Sequence, residues 1–138
     1  STAASTSKYW LPIKPATDVA LLLSWMHVLI YEDLYDKEYI DKYALGFRQI
    51  TDHVRTFTPE WAYGITKIKP QDIRRTAREM ANAAPAVIVH PGRHVTWYGD
   101  DTQRSRSIAI LNALLGSWGR RGGFYFKESI KVPKYPHP

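Results

Sequence analysis

The 138 residues carry 19 Lys and Arg against 13 Asp and Glu, a formal charge of +6, and no cysteine. The missing thiols exclude a disulfide framework and any cysteine-ligated zinc or iron–sulfur centre within these residues, but say nothing about redox compartment. With 44% apolar residues and five Trp the chain can bury a core, and it is too rich in aromatics to be mainly disordered. The length fits one domain or part of a larger one. The chain opens Ser-Thr-Ala-Ala without Met or a charged-then-apolar leader, and closes in a Pro-rich run, so it reads as a slice of a longer polypeptide.

In chain order, residues 1–7 are small and polar and predict a loop. Tyr9-Trp10-Leu11-Pro12-Ile13 predicts a strand end, and Lys14-Pro15-Ala16-Thr17-Asp18 punctuates it. A helix apolar nearly all round follows from Val19 to about Tyr31, interrupted by Ser24 and His27; it is too short to span a membrane and suits a buried position. His27 has no acid or second His at ligand spacing and predicts a packed core residue. Asp36 can cap a helix over Lys37–Ala44 that Gly46 terminates, and Phe47–Val54 predicts a third helix. Thr58-Pro59-Glu60-Trp61 combines cap, N-terminal Pro and first-turn acid. Another helix begins near Pro70 with Ile73, Ala77, Met80 and Ala81 at helical spacing, and Ala84-Pro85 ends it.

Ala86-Val87-Ile88-Val89 is the continuous apolar run expected of a buried parallel strand. Pro91-Gly92-Arg93 turns the chain, and His94–Tyr98 reads as extended. A helix capped within Gly99–Thr102 runs to Leu115 with Ile108, Leu111 and Leu114 inward, and Gly116 stops it. Gly119–Gly123 is a basic glycine-rich loop, Phe124-Tyr125-Phe126 a short strand or an extended contact, and a Pro- and Lys-rich segment leaves the domain. Alternating helices and strands predict an α/β fold, helix-rich with a small mainly parallel sheet.

In such folds ligands sit beyond the carboxyl ends of strands, near helix N-termini. Ile13–Asp18 and Val89–Thr102 are the two such junctions. At the first, Lys14 brings charge, and Asp18 suits either of two roles: capping the helix, or accepting both the N1–H and the exocyclic amine of a guanine. At the second, Gly92 admits close backbone approach, Arg93 can reach an anion, Trp97 and Tyr98 can stack, and Gln103 can donate and accept; a plain strand-to-helix turn explains the same residues. There is no P-loop, GxGxxG, GxSxG or HExxH, so a nicotinamide-binding domain and the common hydrolase mechanisms are disfavoured. Pro91-Gly92 keeps His90 and His94 off a shared helix face. The basic excess falls after residue 108, in Arg120, Arg121, Lys127, Lys131 and Lys134. It suits a phosphate-bearing ligand, nucleic acid, anionic lipid or a solvated surface, so a stand-alone basic nucleic-acid- or nucleotide-binding module is the alternative reading.

The run Trp10 to Asp18 followed at once by a buried helix resembles the "PGTD" segment of molybdopterin oxidoreductases, the dimethyl sulfoxide reductase superfamily. The family's other elements follow in order: Leu34 to Phe47, Phe57 to Ile68, the helix with Ile73-Arg74 and Ala77-Arg78, then Thr102-Gln103, Arg106 and Leu111 to Gly116, with Gly119 and Gly122-Gly123 closing. "PGRHVTWYGDDTQRSR" and "GGFYF" look most like polysulfide, thiosulfate or related sulfur- and arsenic-oxyanion reductases. The resemblance implies that residues 1–126 are part of a Rossmann-like domain binding molybdopterin guanine dinucleotide, and that 127–138 form an exit segment.

It further implies a catalytic subunit holding molybdenum (or tungsten) between two such cofactors and exchanging two electrons with a small substrate in anaerobic respiration. An iron–sulfur cluster, the metal-ligating side chain and a second nucleotide motif are expected upstream, so this piece alone carries no catalytic residue or metal ligand. The implied partners are an iron–sulfur electron-transfer subunit and a membrane anchor rather than nucleic acid, with a periplasmic or membrane-facing location for a polysulfide reductase-like member. The implied cofactor-binding residues are Lys14, Pro15, Thr17 and Asp18, with Asp18 reading guanine, and Gly92, Arg93, Thr102 and Gln103 on the second loop. One departure stands out: the family's glycine before Thr-Asp is Ala16 here, which restricts the backbone of that loop.

Overall fold

A computed structural model describes residues 2–92 and 101–125. These residues form α1 (Thr2–Thr6), α2 (Asp18–Tyr31), α3 (Lys37–Tyr43), α4 (Phe47–Val54), α5 (Pro59–Thr66), α6 (Pro70–Ala83) and α7 (Asp101–Leu114). The uniformly apolar α2 is the hub, packed against α4, α5, α6 and α7. Met26 and Leu29 from α2 meet Val54, Leu111, Leu114 and Leu115 with essentially no exposure. A second cluster joins Leu21 to Ala62, Ile68 and Ile73. A helix surrounded on several sides has no polar face, and the composition of α2 follows from that position.

Helix ends obey local chemistry. Asp36 accepts from the Tyr39 N–H at the start of α3, and Thr58 accepts from the Trp61 N–H at the start of α5, ahead of Pro59. Gly116 takes φ +62° just past α7, and its N–H donates to the Ala113 carbonyl. Gly46, expected to end α3, instead precedes α4 as its N-cap at φ +82°. His27 is partly buried, within 2.9 Å of the Val54 carbonyl through Nδ1 and stacked on Tyr31, a structural histidine as expected.

Three expectations need correction. Residues 2–6 form a short helix rather than a loop. The α/β sheet is not observed: among the described residues there is no strand ladder, only an isolated bridge between Trp118 and Phe124. Tyr9–Ile13 is irregular, tied instead by the Lys14 N–H to the Thr66 carbonyl. The run 86–89 alternates as a strand should, with Val87 and Val89 packed on the core and Ile88 47% exposed, but no second strand pairs with it among the described residues. The side chain of Asn112 occupies its Val89 backbone groups instead. The extended reading of His94–Tyr98 and the tail beyond Tyr125 lie outside the described residues.

Candidate functional site

The first junction is a tight, internally bonded turn. The Ile13 N–H donates to the Leu11 carbonyl at 2.8 Å, and the Thr17 hydroxyl donates to the Lys14 carbonyl at 2.6 Å. Ala16 takes φ +64°, the left-handed region that favours glycine. The backbone therefore adopts the conformation for which the family pattern has Gly, and the methyl group is carried in it at a cost of about 1 kcal/mol.

This geometry bears on the capping role open to Asp18. Thr17 stands at the N-cap of α2 but makes no side-chain cap bond, because its hydroxyl faces back to Lys14. Asp18 is the first helical residue rather than the cap. Its carboxylate, 48% exposed, lies on the rim of a cleft of about 450 Å³.

The cleft lies among the junction, α2, α6, the extended run 88–91 and the first turns of α7. Leu21, Leu22, Trp25, Met80 and Ile108 give it an apolar wall. Trp25 is fixed there by donating its indole N–H to the Thr76 hydroxyl at 2.9 Å. The polar contributors are Asp18, His90 and Arg104. Arg104 Nε stands 3.8 Å from Asp18 Oδ2, and the Arg104 side chain is only 16% exposed. The Gly92 N–H donates to His90 Nδ1 at 2.9 Å, so in neutral His90 the ring hydrogen resides on Nε2. An apolar slot with an acceptor, a donor and a cation suits one flat, polar-edged ligand group. A guanine with a phosphate-bearing tail is such a group, and Asp18 retains open acceptor positions for it.

The other expected site residues are placed more loosely. Lys14 and Pro15 are exposed on the loop beside the cleft, and Thr17 supports that loop. Gly92 follows the cleft residues His90 and Pro91 at φ +73°, and no atom of the described residues beyond its chain neighbours lies within 4 Å of where a Cβ would stand. That φ suits glycine whatever lies beside it. Thr102 and Gln103 are exposed on the first turn of α7, where Gln103 Oε1 accepts from Arg106. Arg93 lies outside the described residues. Arg104 and Trp25 were missed from sequence as site residues. A signal existed: Arg104, Ile108, Leu111 and Leu115 fall at i, i+4, i+7 and i+11, which puts a charge on a core-facing stripe.

One side chain of the basic loop, Arg120, is committed to structure. Arg120 forms an ion pair with Asp36 and lies over the Tyr39 ring. No cluster of His, Asp or Glu among the described residues could hold a metal, and no described helix is long and apolar enough to cross a membrane.

No protein-family model matches the chain. Among curated proteins, it is 39% identical to the thiosulfate reductase molybdopterin-containing subunit of Salmonella typhimurium, over 93% of this chain and 17% of that protein. It is 31% identical to a dimethyl sulfoxide reductase of Escherichia coli over 99% of this chain and 20% of that protein. Among solved structures, the acetylene hydratase from Pelobacter acetylenicus superposes with a TM-score of 0.80 at 28% identity, covering 85% of this chain and 16% of that one. The chain thus spans less than a quarter of the length of these relatives. With full-span sequence similarity and a shared fold, the chain belongs to the molybdopterin oxidoreductase family, as a segment of its catalytic-subunit fold.

Proposed function

We propose that the chain is the part of a molybdenum (or tungsten) oxidoreductase that holds the guanine end of one molybdopterin guanine dinucleotide, with Asp18 as the guanine acceptor. The observation that carries this reading is the placement of Asp18: released from capping, half-exposed, on the rim of an apolar cleft. One ionised carboxylate can accept from two adjacent N–H groups, which guanine presents and adenine does not. Trp25 and the aliphatic wall exclude water from one side of the ligand, which strengthens those hydrogen bonds. Lys14 and the first turn of α2 present positive charge and N–H groups to the phosphates; Gly92, Thr102 and Gln103 belong to the loop and helix start on the opposite side, and Arg93 joins this reading from its place in the sequence alone.

When bound, the metal–dithiolene group would supply two-electron redox chemistry at a small substrate. The relatives' names, thiosulfate and dimethyl sulfoxide reductase, favour a sulfur-containing or related oxyanion substrate. The name of the Salmonella relative describes a subunit, which favours assembly with electron-transfer and anchoring partners. An iron–sulfur cluster belongs to this reading as part of the full-length enzyme.

The test is Asp18→Ala in the full-length protein, with molybdenum and acid-released GMP measured per polypeptide. Both are expected to fall several-fold while the protein stays folded. Full cofactor content in the variant removes Asp18 from the site.

A further inference from the structure

Thr76 on α6 holds an indole. Its hydroxyl donates back along its own helix, to the Asp72 carbonyl at 2.7 Å and the Ile73 carbonyl at 3.1 Å. The oxygen keeps an acceptor position, and this takes the Trp25 indole N–H from α2 at 2.9 Å. The back bond settles the threonine rotamer, so the acceptor is fixed by the helix that carries it. An indole has a single hydrogen to donate, so the bond also fixes the direction of the Trp25 ring edge.

Asp18, Leu21, Leu22 and Trp25 fall at i, i+3, i+4 and i+7 of α2 and all line the cleft. At the α-helical rise, Asp18 and Trp25 stand about 10 Å apart along the axis. A long side chain on a helix covers the turn N-terminal to its own Cα, which for Trp25 is the turn leading to Asp18. From the other side, Thr76 and Met80 share a face of α6, and Met80 lines the same cleft. Trp25 is the only Phe, Tyr or Trp among the described residues that line it. It also packs against both core clusters, so the ring is braced by the core and faces the cleft wall at once.

We infer that Trp25 is the surface on which the ring of the bound base lies, and that Thr76 is the positioning residue that sets this indole. The inference rests on the reading of the cleft as the base site and deepens it. Asp18 reads the edge of the base, and Trp25 meets its face. Contact between a base and an aromatic ring is indifferent to base identity, because every base has a π-face. Trp25 therefore supplies affinity for guanine and adenine alike, and Asp18 supplies the choice between them. Thr76 does not line the cleft and acts through Trp25.

The experiment measures binding of GMP, AMP and ribose 5-phosphate to the cofactor-free full-length protein by calorimetry. Ribose 5-phosphate carries sugar and phosphate without a base, so it reads everything but the base contact. The wild type is expected to bind both nucleotides more tightly than ribose 5-phosphate by about tenfold or more. Thr76→Val keeps the side-chain shape and removes the acceptor. It is expected to weaken GMP and AMP by the same factor, about fivefold, and to leave ribose 5-phosphate unchanged. Trp25→Phe, which has no N–H to place, is expected to lose a similar factor, and adding Thr76→Val to it is expected to change nothing further. Thr76→Ser restores the acceptor and is expected to bind as the wild type does.

Wild-type nucleotide affinities in Thr76→Val overturn the proposal, as does an equal loss for all three ligands, which marks a general structural effect. A further loss from Thr76→Val in the Trp25→Phe background also overturns it. If Thr76→Val does not fold, Trp25→Phe decides: wild-type affinity for GMP and AMP there shows that the indole bond sets nothing. Asp18→Ala separates this proposal from the guanine reading, since it is expected to weaken GMP and spare AMP. A preference for GMP over AMP that survives Asp18→Ala removes that reading and leaves Trp25 and Thr76 in place. A wild type that binds GMP and AMP no better than ribose 5-phosphate removes the base site and this proposal with it.

Discussion

The carboxamide of Asn112 closes a ring with the backbone of Val89: the Val89 N–H donates to Oδ1 and Nδ2 donates to the Val89 carbonyl, each at 3.0 Å. Nδ2 also donates to the Ile108 carbonyl one turn back. A side-chain amide thus offers an extended segment the donor–acceptor pair that a neighbouring strand would offer. It fixes the run 86–89 against α7 and one wall of the cleft in which Asp18 and Arg104 lie.

Asn112 is fully buried, so replacing it with Leu strands the Val89 groups and the core gains little in return. Asn112→Leu is expected to destabilise the protein by about 2 kcal/mol and to speed amide exchange at Val89. Unchanged exchange at Val89 would show that the ring is not what holds the segment.

Ala16 provides a prediction of opposite sign. Its φ of +64° is a conformation that a β-carbon makes unfavourable, and the turn is held by the Thr17–Lys14 bond and by the start of α2. Ala16→Gly relieves that strain while adding freedom to the unfolded chain, leaving a net gain of about 0.5 kcal/mol. Thermal unfolding is expected to move upward, with the turn keeping its shape. A fall in the melting temperature would show that the methyl group makes a contact worth more than the strain.

These two residues show what the chain discloses by itself. Helix positions followed from caps, prolines and periodicity: Thr58-Pro59 starts α5 and Asp36 starts α3, because those signals act over one turn and need nothing distant. The sheet failed for the converse reason. An apolar β-branched run such as Val87-Ile88-Val89 indicates an extended, half-buried segment, but its hydrogen-bonding partner is a tertiary fact, and here that partner is a side chain 23 residues away. At the site, Asp18 was legible as one of two possibilities, and the structure places Thr17 rather than Asp18 at the N-cap of α2. Arg104 was legible only as an anomaly of periodicity, since its relation to Asp18 joins two helices 86 residues apart in sequence.

Ser24 is the polar interruption that α2 does not use. Its hydroxyl is fully buried with no hydrogen-bond partner among the described residues, whereas His27, the other interruption, has the Val54 carbonyl. An unmatched buried hydroxyl carries its desolvation cost uncompensated. Ser24→Ala removes it with almost no change in volume and improves helix propensity, so a gain of about 1 kcal/mol is expected. Denaturant unfolding checks it through a higher midpoint at constant slope; a lower midpoint would reveal a partner for the hydroxyl.

Acid sensitivity at the α5–α6 contact follows from Glu60 and Arg74. Arg74 donates to both Glu60 oxygens, at 2.8 and 3.0 Å, and these bonds hold the Glu60 carboxyl below the ordinary value of 4.5. Glu79 is likewise lowered by hydrogen bonds from Lys8 and Tyr9. A carboxyl whose folded value lies below its unfolded one binds fewer protons when folded. Its stabilisation is therefore fully present above the unfolded value and is lost as the pH falls through the folded one. Glu60 is 60% exposed, so screening limits the pair to about 0.5 kcal/mol. Unfolding of the wild type and of Glu60→Gln is expected to differ at neutral pH and to converge as the pH falls below the ordinary carboxylate range, with the neutral-pH difference shrinking in high salt. A difference that persists unchanged under strong acid would assign the Glu60 effect to packing rather than to its charge.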